Sequence, residues 1–444
     1  MVFAHGVGGA QDLPIPAELA IAGASAALAI SFIVLAIAWR TPRYDAATSG
    51  RRAPEWLSRL VDSPYFEWTL RLLGLAFFAY VAVAAVFGPD LLVNPTFGVV
   101  YVLLWVGLVP ASLLFGPFYK AVNPVRTLHL LFSLLTGGDP KRGMYDLPRW
   151  VGYWPAAVGL FAFVWLELVY PDATYLSPIR LWFAIYIAVL LVGSALFGSE
   201  WFERADPFEV YSTLVGHLSV FGRREDGMLV LRSPLANLDA VPAGPGLVAV
   251  VSVLFGSTAF DSFKDMNAWL QFSQTTSLPM TWVNTLVMLG FCVVVGLSLT
   301  AATVAADPRE GVRRSDLPAL FAHSVVPIIV GYMVAHYLTY LVESGQQTLI
   351  QLSDPLGTGA NLLGVSVDTS VRRRTRVLPK NAACCQNSER FCSVSQRLTF
   401  SRCRRPSCAH FSQQNHCSHR RPRACEVQHR YRFAIMAVSK ASTY

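Results

Sequence analysis

Met280 to Ala306 reads MTWVNTLVMLGFCVVVGLSLTAATVAA, 27 residues without one Asp, Glu, Lys, Arg or His. A bilayer's hydrocarbon core demands roughly 20 consecutive apolar residues per helix and leaves no backbone polar group unpaired. Seven further apolar stretches are long enough, or nearly long enough, to cross: about 17–39, 69–87, 97–115, 151–169, 179–197, 245–260 and 319–342. The expected fold is all-α, a polytopic transmembrane helix bundle of about eight spans in the cell's inner or plasma membrane. Its first partner is the lipid bilayer. Trp39, Trp68, Trp150 and Trp282 fall at span edges, where an aromatic belt places them. No basic residue precedes the first span and no small-residue cleavage site ends it, so it does not read as a cleaved signal.

Composition agrees. The chain is 53% hydrophobic and 14% charged, with mean hydropathy +0.42, outside the usual soluble range. The net charge of +8 averages two unlike parts. Residues 371–444 hold 16 of the 36 Lys and Arg and two acids, Glu389 and Glu426, whereas 1–370 hold 20 basic and 26 acidic residues. A nucleic-acid partner is therefore not expected. Seven of the eight Cys also lie in that tail, without a C-x-x-C pair, and only Cys292 lies in the apolar body. The Arg, Cys, Ser and Gln composition from residue 371 reads as a shifted reading frame or as a disordered basic tail.

Orientation follows from Lys and Arg counted in alternate loops. Segments 40–68, 116–150, 198–242 and 307–318 carry 17, and the opposite set carries only Arg180 and Lys264. Positive loops stay inside, so the N-terminus is expected outside and so is the chain after Val342. The organisation expected is a Gly-rich outer segment 1–16, a bundle 17–342, an outer segment 343–370 and the tail 371–444. The sixth span starts at Gly244-Pro245-Gly246, which suits either a broken helix or an ordinary one.

An internal repeat is legible. Leu114-Phe115-Gly116 ends the third span and Asn123-Pro124 follows; Leu196-Phe197-Gly198 ends the fifth and Asp206-Pro207 follows. Each Asn/Asp-Pro pair is an N-cap plus an N1 proline. Each opens a stretch too short to cross, expected as an interfacial helix. Spans two–three and four–five thus read as parallel copies. Leu254-Phe255-Gly256 matches too, but on the opposite face, and reads as coincidence.

Hydrolase and P-loop signatures are missing, and Gly244-Pro245-Gly246-Leu247-Val248-Ala249 lacks the βαβ context of a dinucleotide site. The informative residues are polar ones inside spans, where ionisable groups are costly. Tyr332, His336, Tyr340, Glu343 and Gln347 follow i, i+4, i+8, i+11, i+15 and share one helix face. His336 suits a general base or metal ligand, Glu343 a ligand or proton acceptor; a single His that bonds a neighbouring helix is the structural alternative. His323 lies 13 residues earlier, about 140° around the helix, and reads as a packing or hinge residue. Glu18, Glu167, Asp261 and Asp265 cluster at outer span ends, with Glu167 and Asp261 as further ligands. The glycines of Ala4 to Asp12 let that segment fold over the bundle mouth, adding His5 and Asp12; a disordered leader is the alternative. Such a set suits zinc or another divalent metal that generates hydroxide. It equally suits proton relay in a transporter.

Ala4-His5-Gly6-Val7-Gly8-Gly9 through Asp12-Leu13-Pro14-Ile15-Pro16, Gly256-Ser257-Thr258-Ala259-Phe260-Asp261 and Tyr332-Met333-Val334-Ala335-His336-Tyr337 resemble a family of bacterial multi-pass membrane proteins common in actinobacteria. Many of its members are labelled fenitrothion hydrolase. The resemblance covers about residues 1–364; in the family, further apolar sequence with more histidines follows. It implies hydrolysis of an organophosphorus triester, an apolar small molecule that would enter from the bilayer. Metal-assisted water activation would follow. The family label brings no residue roles; the residues read from the spans themselves would supply them, with His336 and Glu343 as ligands or base, Glu167, Asp261 and His5 completing the metal set, and Tyr340 donating to the leaving oxygen. A proton- or metal-coupled transporter is the main alternative, and a non-catalytic assembly factor a third.

Overall fold

A computed structural model describes residues 17–38, 49–224, 226–306 and 311–364. All belong to the first of two units in the chain, Met1–Arg373. The expectations for His5, Asp12, Trp39 and the tail 371–444 lie outside the described residues.

The described chain is mostly helical. After α1 (Ala17–Ala38) and the short α2 (Glu55–Val61) comes α3 (Pro64–Phe87). Next is a bent pair: α4 (Pro95–Phe97), continued by wide π-helical turns over Gly98–Leu104, and α5 (Leu108–Phe115). Two short helices follow, α6 (Phe118–Val122) and α7 (Pro124–Thr136). The second copy runs α8 (Trp154–Leu168), α9 (Leu176–Phe197), α10 (Glu200–Ala205) and α11 (Pro207–Gly216). The remainder is α12 (Leu247–Lys264), α13 (Asn267–Thr275), α14 (Met280–Val304), α15 (Leu317–Phe321) and α16 (Val326–Leu352). Strands β1 (Arg51–Arg52), β2 (Phe221–Arg223) and β3 (Leu229–Leu231) form an antiparallel sheet, ordered β1-β3-β2, that ties the basic loops together.

Among the described residues five helices are long and apolar enough to cross a membrane, six with the bent pair; about eight were expected for the chain. Helix α8 falls short: its 15 residues span roughly 22 Å at 1.5 Å each. The last helix is longer than expected and runs ten residues past Val342 to Leu352. Only 6% of the apolar window of α3 and 11% of that of α14 is buried, against 61% for α12. So α12 is a central helix packed by α8, α14 and α16. Helices α3 and α14 turn bare apolar sides outward, a surface suited to lipid rather than water.

Breaks fall where backbone chemistry puts them. Helix α12 is unbroken; Gly246, with φ +81°, turns the chain into it. The bend, 46°, lies instead between Leu104 and Leu108. Pro110 has no N–H for the Val106 carbonyl, which breaks the helical ladder at that point. The two Leu-Phe-Gly glycines that leave spans both adopt positive φ, +79° at Gly116 and +71° at Gly198, a region open to glycine and strained for other residues. Gly256 lies inside α12 and has no such turn.

The repeat is structural. Asn123 Oδ1 caps α7 by accepting from the Val125 and Arg126 amides, and Asp206 Oδ1 caps α11 by accepting from Phe208 and Glu209. Helix α6 packs on α3 as α10 packs on α8, and the partners cross over: α11 packs on α5 and α7 on α9. Residues 83 positions apart touch one another. Lys120 Nζ lies 2.7 Å from Glu203 Oε1, and Asn123 Nδ2 donates to Asp206 Oδ2 at 2.7 Å. Arg126 donates twice to Glu209, at 2.6 and 3.0 Å. A residue that meets its own counterpart lies on a two-fold axis. Identical copies would set like charge on like charge there; these copies oppose Lys to Glu, Asn to Asp and Arg to Glu.

The two short helices differ from each other. Helix α7 keeps one exposed face, but α11 is buried on nearly every side. Asp206 accepts from the Tyr186 hydroxyl at 3.0 Å, about 16 Å up α9 from Phe197 by helical rise. The α10–α11 segment therefore enters the bundle and returns.

Candidate functional site

The site is built at the end of α12 away from the basic loops. Asp261, 1% exposed, points from α12 toward α16. Its i+3 neighbour on the same face, Lys264, sets its ammonium 2.8 Å from Oδ1. The Tyr337 hydroxyl donates to Oδ2 in a short hydrogen bond. His336 Nε2 faces that oxygen at 3.6 Å, beyond direct hydrogen-bond reach, and has no hydrogen-bond partner. Tyr332 donates to the Thr258 carbonyl at 2.8 Å, bonds Ser262, and stacks on the His336 ring with centroids 5.2 Å apart. Tyr337 meets that ring edge-on at 4.6 Å. The imidazole is thus clamped between two tyrosines with its free nitrogen aimed at a carboxylate.

Glu167, near the end of α8, forms the back of the site. It lies within electrostatic range of Asp261 and Lys264, and its Oε2 is buried without a hydrogen-bond partner. Tyr101, Tyr211 and Tyr340 are near enough to feel its charge. Two carboxylates, an imidazole and an ammonium therefore share a tyrosine-lined region of low polarity, where charges interact strongly.

Of the residues singled out from sequence, Asp261, His336, Glu167 and Tyr340 come together. Glu343 does not join them: it is exposed on α16, as is Gln347. The five-residue stripe does share a helical face, but the buried side of α16 changes along its length. Val326, Ile329, Val330, Met333 and Tyr337 face inward first; Gly345, Thr348 and Leu352 take over where the helix leaves α12 for the π-helical turns, with Thr348 against Gly98. Among the described residues no three His, Cys, Asp or Glu side chains group as metal ligands. Asp261 is already engaged by Lys264 and Tyr337, so these residues do not by themselves fit a divalent ion.

Sequence reasoning passed over Lys264, Tyr337 and the axial set Asn123, Arg126, Asp206 and Glu209. Lys264 carried a signal, one of two cations in the sparse loops and three residues from Asp261. The axial set did as well: aligning the two copies on Asn-Pro and Asp-Pro sets Lys120 against Glu203 and Arg126 against Glu209. Outside the spans, two groups near that set are perturbed. Burial opposes ionisation of Glu203, but Lys120, Arg126 and Arg204 outweigh it and hold the carboxyl below its ordinary range. Burial, helped by Arg232 and His323, pushes His217 below its ordinary value against hydrogen bonds to the Thr213 and Ala240 carbonyls. No family model, curated protein or solved structure matches this chain.

Proposed function

We propose that the protein lies in the plasma membrane with its N-terminus outside and handles protons at the Asp261–His336 cluster, as a proton-coupled transporter does. The observation that carries this reading is the buried Asp261 carboxylate, contacted by Lys264 and Tyr337 and faced by His336 at 3.6 Å. Lys264 and a protonated His336 compete for one charge, so a proton arriving on either imidazole or carboxylate loosens the other contacts. Glu167 supplies a second acceptor. Ionisable groups in a span mark ion paths by default, and parallel repeats about an axis are a common transporter plan.

Proteoliposomes with a trapped pH dye test this. A potassium diffusion potential, negative inside, should acidify the lumen with wild-type protein, and Asp261→Asn should abolish the signal. Wild-type vesicles that behave as empty ones would refute the reading.

Metal-assisted phosphotriester hydrolysis, implied by the family resemblance, is the second reading. The unpartnered His336 Nε2 facing a carboxylate favours it. It requires a third ligand from outside the described residues, His5 being one, and chelator-sensitive release of nitrophenol from fenitrothion by purified membranes would support it.

A further inference from the structure

On the basic-loop face, α6, α10 and α11 enclose a cavity of about 150 Å³, walled by Tyr153 and by Val241 and Pro242. Four charged side chains line it: Lys120, Glu203, Arg204 and Glu209. Lys120 is matched to Glu203 at 2.7 Å, and Glu209 to Arg126 at 2.6 Å. Arg204 acts on Glu203 through its charge but is hydrogen-bonded to neither carboxylate. Its guanidinium lies over the Tyr153 ring, 4.6 Å from the centroid. Among the described residues no carboxylate, carbonyl or hydroxyl pairs with it.

That arrangement is built. Tyr153 is fixed at both ends: its hydroxyl donates to the Pro242 carbonyl at 3.1 Å, and its amide to the Pro245 carbonyl at 2.7 Å. A guanidinium held over an aromatic ring without a hydrogen-bond partner keeps its N–H donors for a ligand, and their fork matches two oxygens of an anion. Thr213 and His217 complete the polar lining, and burial favours the uncharged imidazole. The lining thus holds two cations and two carboxylates, with Glu209 engaged from outside the cavity by Arg126, around a space with room for several waters or one tetrahedral group.

We propose that this cavity is an oxyanion site that takes a phosphate group, with Arg204 as bidentate donor and Lys120 as the second cation. Free phosphate and the phosphate of an anionic lipid headgroup share this chemistry, and cation-lined pockets between helices on the cytoplasmic side suit the latter. The inference does not rest on proton handling at Asp261.

The test is calorimetric titration of the purified full chain, in neutral detergent with inorganic phosphate and in phosphatidylcholine bicelles with added phosphatidylglycerol. Wild type should bind in at least one arm, and the arm that responds identifies the source. Arg204→Gln should weaken that binding at least tenfold, and Arg204→Lys, which keeps charge but loses the fork, by an intermediate factor. Arg149→Gln, exposed on the same face, should bind as wild type. Thermal unfolding of each variant confirms that it folds. No binding by wild type in either arm, or an unchanged affinity in folded Arg204→Gln, overturns the proposal.

Discussion

Replacing Glu209 with Gln should be among the most damaging single changes in the bundle. The Glu209 side chain is 1% exposed and that of Arg126 10%, and the two share hydrogen bonds of 2.6 and 3.0 Å. Coulomb's law at an effective dielectric near 20 puts their attraction at roughly 4–6 kcal/mol. The cost of desolvating both charges offsets much of this in the intact pair. In the variant, Arg126 keeps its desolvation cost and loses the carboxylate. Breaking a buried pair in this way costs about 3–5 kcal/mol. Glu203, 3.7 Å from Arg126 and half exposed, compensates in part, which argues for the lower end, about 3 kcal/mol. Arg126→Gln should cost a similar amount, because it strands Glu209. The double variant leaves two neutral amides and should cost less than the sum of the singles, with a coupling of about 2 kcal/mol or more. Tryptophan fluorescence or circular dichroism during reversible unfolding in mixed micelles would read all four corners of the cycle. A Glu209→Gln cost below about 1 kcal/mol, or strictly additive singles, would refute the claim that the two copies are locked together at this axis.

Two further outcomes follow from the packing and the electrostatics. A Cβ added at Gly256 would lie 2.6 Å from Cys292 Cα, a backbone atom of α14 that cannot rotate away, so Gly256→Ala should destabilise the α12–α14 pair by about 1–3 kcal/mol, measured by the same unfolding assay. Because the folded chain holds His217 below its ordinary value, the unfolded chain takes up that proton first. Stability should therefore fall as pH drops through about 6.5, and His217→Gln should flatten that acid limb in unfolding midpoints taken between about pH 5 and 8.

Much of this architecture is legible in one dimension, since lipid leaves few options. A long uncharged run such as Met280–Ala306 must become a helix because nothing else satisfies its backbone there. Asn123-Pro124 and Asp206-Pro207 announce helix starts, and the glycines after Leu-Phe announce turns that other residues resist. Pro110, with no N–H for the Val106 carbonyl, carries a signal for the bend after Leu104 as well.

What the chain alone could not decide is which surfaces meet. Helical periodicity states the angle of a side chain about its own axis and nothing about the neighbour at that angle. Tyr332, His336 and Glu343 share a face, yet α16 exchanges one neighbour for another along its length, so His336 turns to Asp261 while Glu343 stays exposed. The match of Lys120, Asn123 and Arg126 to residues 83 positions away likewise appears only when the two copies close about their axis. Arg204 becomes conspicuous only then, since a cation's need for a partner can be judged only once every nearby anion has been placed.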